Sequence, residues 1–138
     1  MTRADTNLHG VWLMLKITPA FDPAMLGGYC KKCGKLPGPE FYLYRAEIGD
    51  KTIAACLFEV MSNRVAPLFY ESLEGDEWLF DAVLRAGYNY ASEQGIAEGS
   101  LPEAFRQAHG GYFRHLNYPA QTAFSIANFF KRYKSCGK

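Results

Sequence analysis

Phe41-Tyr42-Leu43-Tyr44-Arg45-Ala46-Glu47-Ile48-Gly49-Asp50-Lys51-Thr52-Ile53-Ala54-Ala55-Cys56-Leu57-Phe58-Glu59-Val60 is the stretch whose reading decides the fold. Side chains alternate between the two faces of a strand. On that period Tyr42, Tyr44, Ala46 and Ile48 share one face, and Phe41, Leu43, Arg45 and Glu47 the other. Gly49-Asp50-Lys51 is a turn by composition. In the strand after it, Ala54, Cys56, Phe58 and Val60 form an apolar face, and Glu59 points away from it. Ser62-Asn63-Arg64 turns the chain again into Val65–Tyr70, which contains Pro67. Proline cannot donate to a ladder, so this third strand is an edge or carries a bulge or break there. Turns this short force an antiparallel meander.

Working outward, the period changes after Glu74. Leu79, Val83, Ala86 and Tyr90 fall at helical spacing, with Asp76 as N-cap and Gly95 as the residue past the end, so a helix is expected over 77–94. Ile96–Gly99 reads as a short strand. Ser100 and Glu103 have capping-box spacing and open a second helix, which falters at Gly110-Gly111, resumes over Tyr112–Leu116 and ends at Asn117-Tyr118-Pro119. Ala120–Ile126 reads as a last strand. Upstream, Val11–Thr18 reads as a strand, and Ala24–Gly34 as one or two helical turns at most. The expectation is one domain over 1–138, with a loose start at 1–10 and a C-terminal tail at 127–138 docked on the core. Its fold class is α/β (α+β): one mixed, mostly antiparallel sheet with flanking helices. Helix crossovers between parallel strands are right-handed.

Composition narrows the function classes. Of 138 residues, 49% are hydrophobic and 21% charged, which excludes general disorder. A domain of this length buries roughly 70% of its unfolded surface. The net charge is only +1, so the field needed for duplex nucleic acid is missing and no nucleic-acid partner is expected. No apolar run approaches the ~20 residues of a membrane span. With no signal-peptide core near the start, a cytoplasmic location is expected, where four cysteines read as thiols or metal ligands.

The order of elements resembles the GNAT N-acyltransferase superfamily over about residues 11–126. The meander Phe41–Tyr70, with its disturbed strand leading into the main helix, is similar to that family's central strands. Tyr112-Phe113-Arg114-His115-Leu116-Asn117-Tyr118 is similar to its ending of an aromatic, three residues, then Gly-Phe. The resemblance implies acetyl-CoA in a notch where the strands on either side of the main helix splay apart. It places the pantetheine arm along Leu68, Phe69, Tyr70 and Glu71, and the pyrophosphate at Gly75 and Asp76. It also implies an unidentified amine acceptor. The sequence departs from the family at two points. Its phosphate loop is Ser72-Leu73-Glu74-Gly75-Asp76-Glu77, acidic where an anion would sit, and Phe113 stands at the tyrosine acid's position. Tyr112, the neighbouring candidate acid, is expected on another helix face.

Glu59 and Glu71 are the candidate general bases, as acids on the meander. Cys30-Lys31-Lys32-Cys33-Gly34 brings two thiolates within reach of one metal, half of a zinc ribbon. Cys136 with His9, His109 or His115 would complete such a site, as would a second copy in a homodimer. Redox chemistry and ordinary reduced thiols are the other readings of the pair. Cys56, on an apolar strand face, reads as a small core residue. The function expected is therefore a divergent N-acetyltransferase. The alternative is a non-catalytic module on the same fold with a metal or redox pair.

Overall fold

A computed structural model describes residues 15–73 and 75–136, with side chains described to residue 131. The expected features at 1–14 (the loose start, His9 and the beginning of the first strand), Glu74 and the Cys136 side chain lie outside the described residues. A six-stranded sheet carries the fold: β1 (Leu15–Ala20), β2 (Phe41–Ile48), β3 (Lys51–Met61), β4 (Arg64–Ser72), β5 (Glu98–Ser100) and β6 (Ala123–Ser125), neighbours in that order. All pairs are antiparallel except β4 and β5, which are parallel and joined by the main helix. The mixed sheet with flanking helices is thus the expected class.

Helix α1 (Pro23–Lys32) covers one face. It is longer than its weak periodicity suggests because Asp22 caps it: Ala24 N donates to Asp22 Oδ1 at 3.0 Å, and Pro23 pre-sets the first turn. Cys30, Phe41, Leu43, Ala55 and Leu57 form the core beneath it. Helix α2 (Glu77–Glu93) covers the other face, with α3 (Glu103–Ala108), α4 (Gly110–Phe113) and α5 (Ile126–Cys136). That larger core contains Tyr44, Cys56, Phe58, Val65, Tyr70, Phe80, Val83 and Tyr88. Helix α2 lies close on β3: a Cβ at Gly87 would overlap the Phe58 ring. Its end follows the sequence, with Gln94 as C-cap and Gly95 at φ +91°.

Three expectations fail locally. Ser100 caps nothing; it is buried at the end of β5, and Pro102 stands at the N-cap of α3. The last strand is only Ala123–Ser125. The tail through Cys136 is α5, whose Ile126 and Phe129 are buried, so helical spacing and not mere docking organises it.

Candidate functional site

The parallel pairing of β4 with β5 lasts for two residue pairs, Arg64–Glu98 and Val65–Gly99. Beyond them β4 runs on to Ser72, while β5 ends at Ser100 and the chain turns away at Pro102. The two strands therefore form a V, and residues 66–71 of β4 show an edge unpaired by any described strand. Pro67 shapes it. Phe58 opposes Pro67 and Leu57 opposes Phe69, so Leu68 is the extra residue of a bulge. Leu68 and Phe69 both reach the α1-side core as a result. The closed end of the V is pinned. Arg64 donates twice to Glu98 Oε1 (3.0 and 2.8 Å), and Asn63 Oδ1 accepts from Ala97 N (3.1 Å). Ser62, in the hairpin turn beside it, holds φ +57°, a conformation uncommon outside glycine.

Under the free edge, on the α2 face, lies an aromatic cluster. The Tyr70 ring meets Phe80 (4.9 Å, 86°), His109 (5.8 Å) and Tyr112 (6.3 Å) edge-on. Phe80 stacks on Tyr112 at 4.4 Å and takes the edge of Phe113 at 5.3 Å. Tyr112 and Phe113 thus both touch Phe80, because α4 is a single short turn whose end leans across the ring. Tyr112 stands beside the notch, contrary to the expectation from helix geometry. Burial pushes the Tyr70 hydroxyl above the usual phenol range, with Tyr112, Cys56 and Asp76 adding to it and Ser72 opposing it. Burial alone lowers the His109 pKa.

At the open end stands the N-terminus of α2. Asp76 has extended dihedrals (φ −77°, ψ 117°) and sits at the N-cap, but its side chain makes no capping bond. Glu77 pairs with His115 Nδ1 at 2.9 Å. A cleft of about 420 Å³ lies there, lined by Gly75, Glu77, His109, Gly111, Tyr112 and His115, with no lysine or arginine among its described lining residues and Arg114 beside Gly111 at the rim. The edge at 66–71 suits an amide-bearing pantetheine arm. The helix end does not suit a pyrophosphate: the dipole favours an anion, but the side chains mounted on it are acids.

The two candidate bases face the α1 side and fare differently. Glu71 is engaged: Tyr29 Oη donates to it at 2.6 Å and Lys32 Nζ at 3.0 Å. The Tyr29 bond, helped by Lys32, lowers its pKa against a smaller opposing effect of burial. Glu59 is half-buried and has no hydrogen-bond or ion-pair partner among the described residues. It opens into a cavity of about 600 Å³ that also meets Asn63, Arg64, Ala66, Glu98 and Ser100. Ala66 is its cross-strand partner, so the cavity touches β4 where the V begins to open. Ser100 is 6% exposed there, and its carbonyl accepts from Tyr88 Oη at 2.8 Å. No sequence motif marks this cavity. Only the hairpin turn Ser62-Asn63-Arg64, rich in polar groups, hints at it.

The described residues do not complete the expected metal site at the cysteine pair. Among the described residues no three His, Cys, Asp or Glu side chains converge to hold a metal. Cys30 is fully buried in the last turn of α1, and Cys33 is its C-cap. His109 and His115 belong to the opposite side of the sheet, and Cys136 and His9 lie outside the described side chains. Burial raises both thiols, with Lys35 partly offsetting it at Cys33. The negative end of a helix dipole also disfavours thiolates, the reverse of a reactive pair.

No protein-family model matches the sequence, and no curated protein matches it. Solved structures do. A probable acetyltransferase from Staphylococcus epidermidis superposes with a TM-score of 0.58 at 13% identity, covering 81% of this chain and 99% of that one. The ribosomal-protein-S18-alanine N-acetyltransferase from Escherichia coli gives 0.58 at 14%, covering 82% and 94%. An IAA acetyltransferase from Bacillus cereus gives 0.52 at 11%, covering 72% and 73%. No helix among the described residues is long and apolar enough to cross a membrane.

Proposed function

On the premise that the chain has the GNAT fold, we propose that it is an N-acyltransferase, moving an acyl group from a pantetheine thioester to an amine. One observation carries this reading: the V between β4 and β5 opens at Ala66 directly onto the cavity that holds the unpaired Glu59. The free edge at 66–71 offers N–H and C=O groups at strand spacing, which an extended amide-bearing arm joins like an added strand. Glu59 accepts the proton that the attacking amine loses. Arg64 in the same cavity is taken by Glu98, so the Glu59 carboxylate also draws an ammonium into it. The Ser100 hydroxyl orients the acceptor. Tyr112 and Tyr70 stand along the arm, and a phenol hydroxyl there gives its proton to the departing sulfur. Glu71, bound by Tyr29 and Lys32, fixes α1 to the end of β4 and is the weaker base. The acceptor is an amine small enough for a cavity of about 600 Å³, and the reduced cysteines fit a cytoplasmic setting.

A second reading, a non-catalytic module that binds thioesters without turnover, is favoured by Phe113, which has no proton to give and is packed against Phe80 and Tyr118. Melting with acetyl-pantetheine and acetyl-CoA tests binding. Ligand at about 100 times its dissociation constant adds ~2.7 kcal/mol. No shift with either at millimolar concentration would sink both readings. Thiol release with spermine and a lysine peptide as amines tests turnover. Glu59→Gln should lower kcat by about 10²-fold or more with unchanged melting, as loss of a general base does.

A further inference from the structure

We infer that the thioester donor is held by its pantetheine arm alone, and that the site selects against a nucleotide pyrophosphate. This rests on the acyltransferase reading above and names its donor class: a pantetheine thioester lacking the adenosine pyrophosphate. The strand edge and the helix end suit different chemistry. Residues 66–71 of β4 leave an open backbone edge beside Tyr70 and Tyr112, suited to neutral amides. Where that edge leads, at the first turn of α2, an anion would have the helix dipole in its favour. Yet the Asp76 carboxylate stands there uncapped and exposed, close enough to Tyr70 to raise its pKa. The Glu77 carboxylate lines the adjoining cleft, held in place by His115 at 2.9 Å.

Among the described residues no lysine or arginine lines the cleft, and the Arg114 guanidinium lies beside Gly111 at its rim. Lys32, on the other face of the sheet, is taken by Glu71. A pyrophosphate would therefore enter a cleft of fixed like charge. The imidazole at its mouth already serves a carboxylate. A donor with no charge at that end meets no such barrier and still gains the whole of the β4 edge.

The experiment is calorimetric titration of the full chain with acetyl-pantetheine and with acetyl-CoA, before and after the substitutions Asp76→Asn and Glu77→Gln. Asparagine keeps the N-cap preference, so the helix is not put at risk. The expected result is that the wild type binds acetyl-pantetheine at least as tightly as acetyl-CoA. The double substitution should then tighten acetyl-CoA about tenfold, roughly what removing two unit charges some 6 Å away gives in a near-aqueous dielectric. Acetyl-pantetheine should move less than about twofold, having no charge for those carboxylates to act on. Raised salt should shrink the gap between the two donors. Acetyl-CoA binding tenfold tighter than acetyl-pantetheine to the wild type, or no tightening in the variant, overturns the inference and leaves the acyltransferase reading standing. Binding of neither donor overturns both.

Discussion

Phe80 is the side chain on which the notch rests, and truncating it gives a sharp test. It is fully buried, stacked on Tyr112 and nearly parallel to Phe105 (17°), and it takes ring edges from Tyr70 and Phe113. Phe80→Ala removes the ring and leaves a cavity walled by rigid aromatics, which cannot collapse into it. A loss of about 3–5 kcal/mol is expected. Unfolding entropy for 138 residues is about 0.29 kcal/mol/K, so the melting temperature should fall by roughly 10–17 °C. Phe80→Leu keeps most of the volume but no ring. It should lose only about 1–2 kcal/mol, mostly the ring-on-ring geometry. Calorimetric melting of the three proteins decides it. A drop under ~3 °C in the alanine variant, or equal drops in both, would refute the claim that these rings pack as a unit.

Other consequences follow from the same physics. Gly87→Ala should cost about 3 kcal/mol although alanine is the better helix former, because the new Cβ overlaps Phe58 and Tyr42 Oη already fixes the Gly87 carbonyl at 2.7 Å; thermal denaturation reads it. Cys30→Ser should destabilise by about 1–3 kcal/mol, since it buries a hydroxyl in an apolar core, and Cys33→Ser much less. Equal losses in the two would point back to a shared metal. Stability should fall on acidification. His109 and Glu71 both have folded-state pKa values below their unfolded ones, so each contributes fully above its unfolded pKa and loses that contribution as pH drops through the folded one. His109 acts below about pH 6.5 and Glu71 below about 4.5. A melting curve for His109→Gln that is no flatter than wild type between pH 7 and 5 would remove the histidine's share.

The meander was legible because its strands alternate cleanly and its turns are short, which leaves one antiparallel solution. The main helix was legible from its stripe and from Gly95. Helix α1 and the caps were less so: Asp22-Pro23 outweighs a poor apolar period, and Ser100 has cap spacing but is claimed by β5. The site was legible only in fragments. Glu59, Tyr70 and Tyr112 stand out as chemistry-bearing residues, yet nothing local says that the first is unpaired or that the other two meet over Phe80.

Period, turn length and charge are local properties of the chain, and they were enough for the order of elements, the three-strand meander, the parallel pair across the main helix and the acidity of the loop before α2, but not for where β1 and β6 pair. Tertiary structure alone decided where β4 and β5 part, that Glu59 faces a cavity while Glu71 is spent on Tyr29 and Lys32, and that Cys30 is core. Those are contacts between residues far apart in the chain, and no local pattern encodes which partner a side chain finally meets.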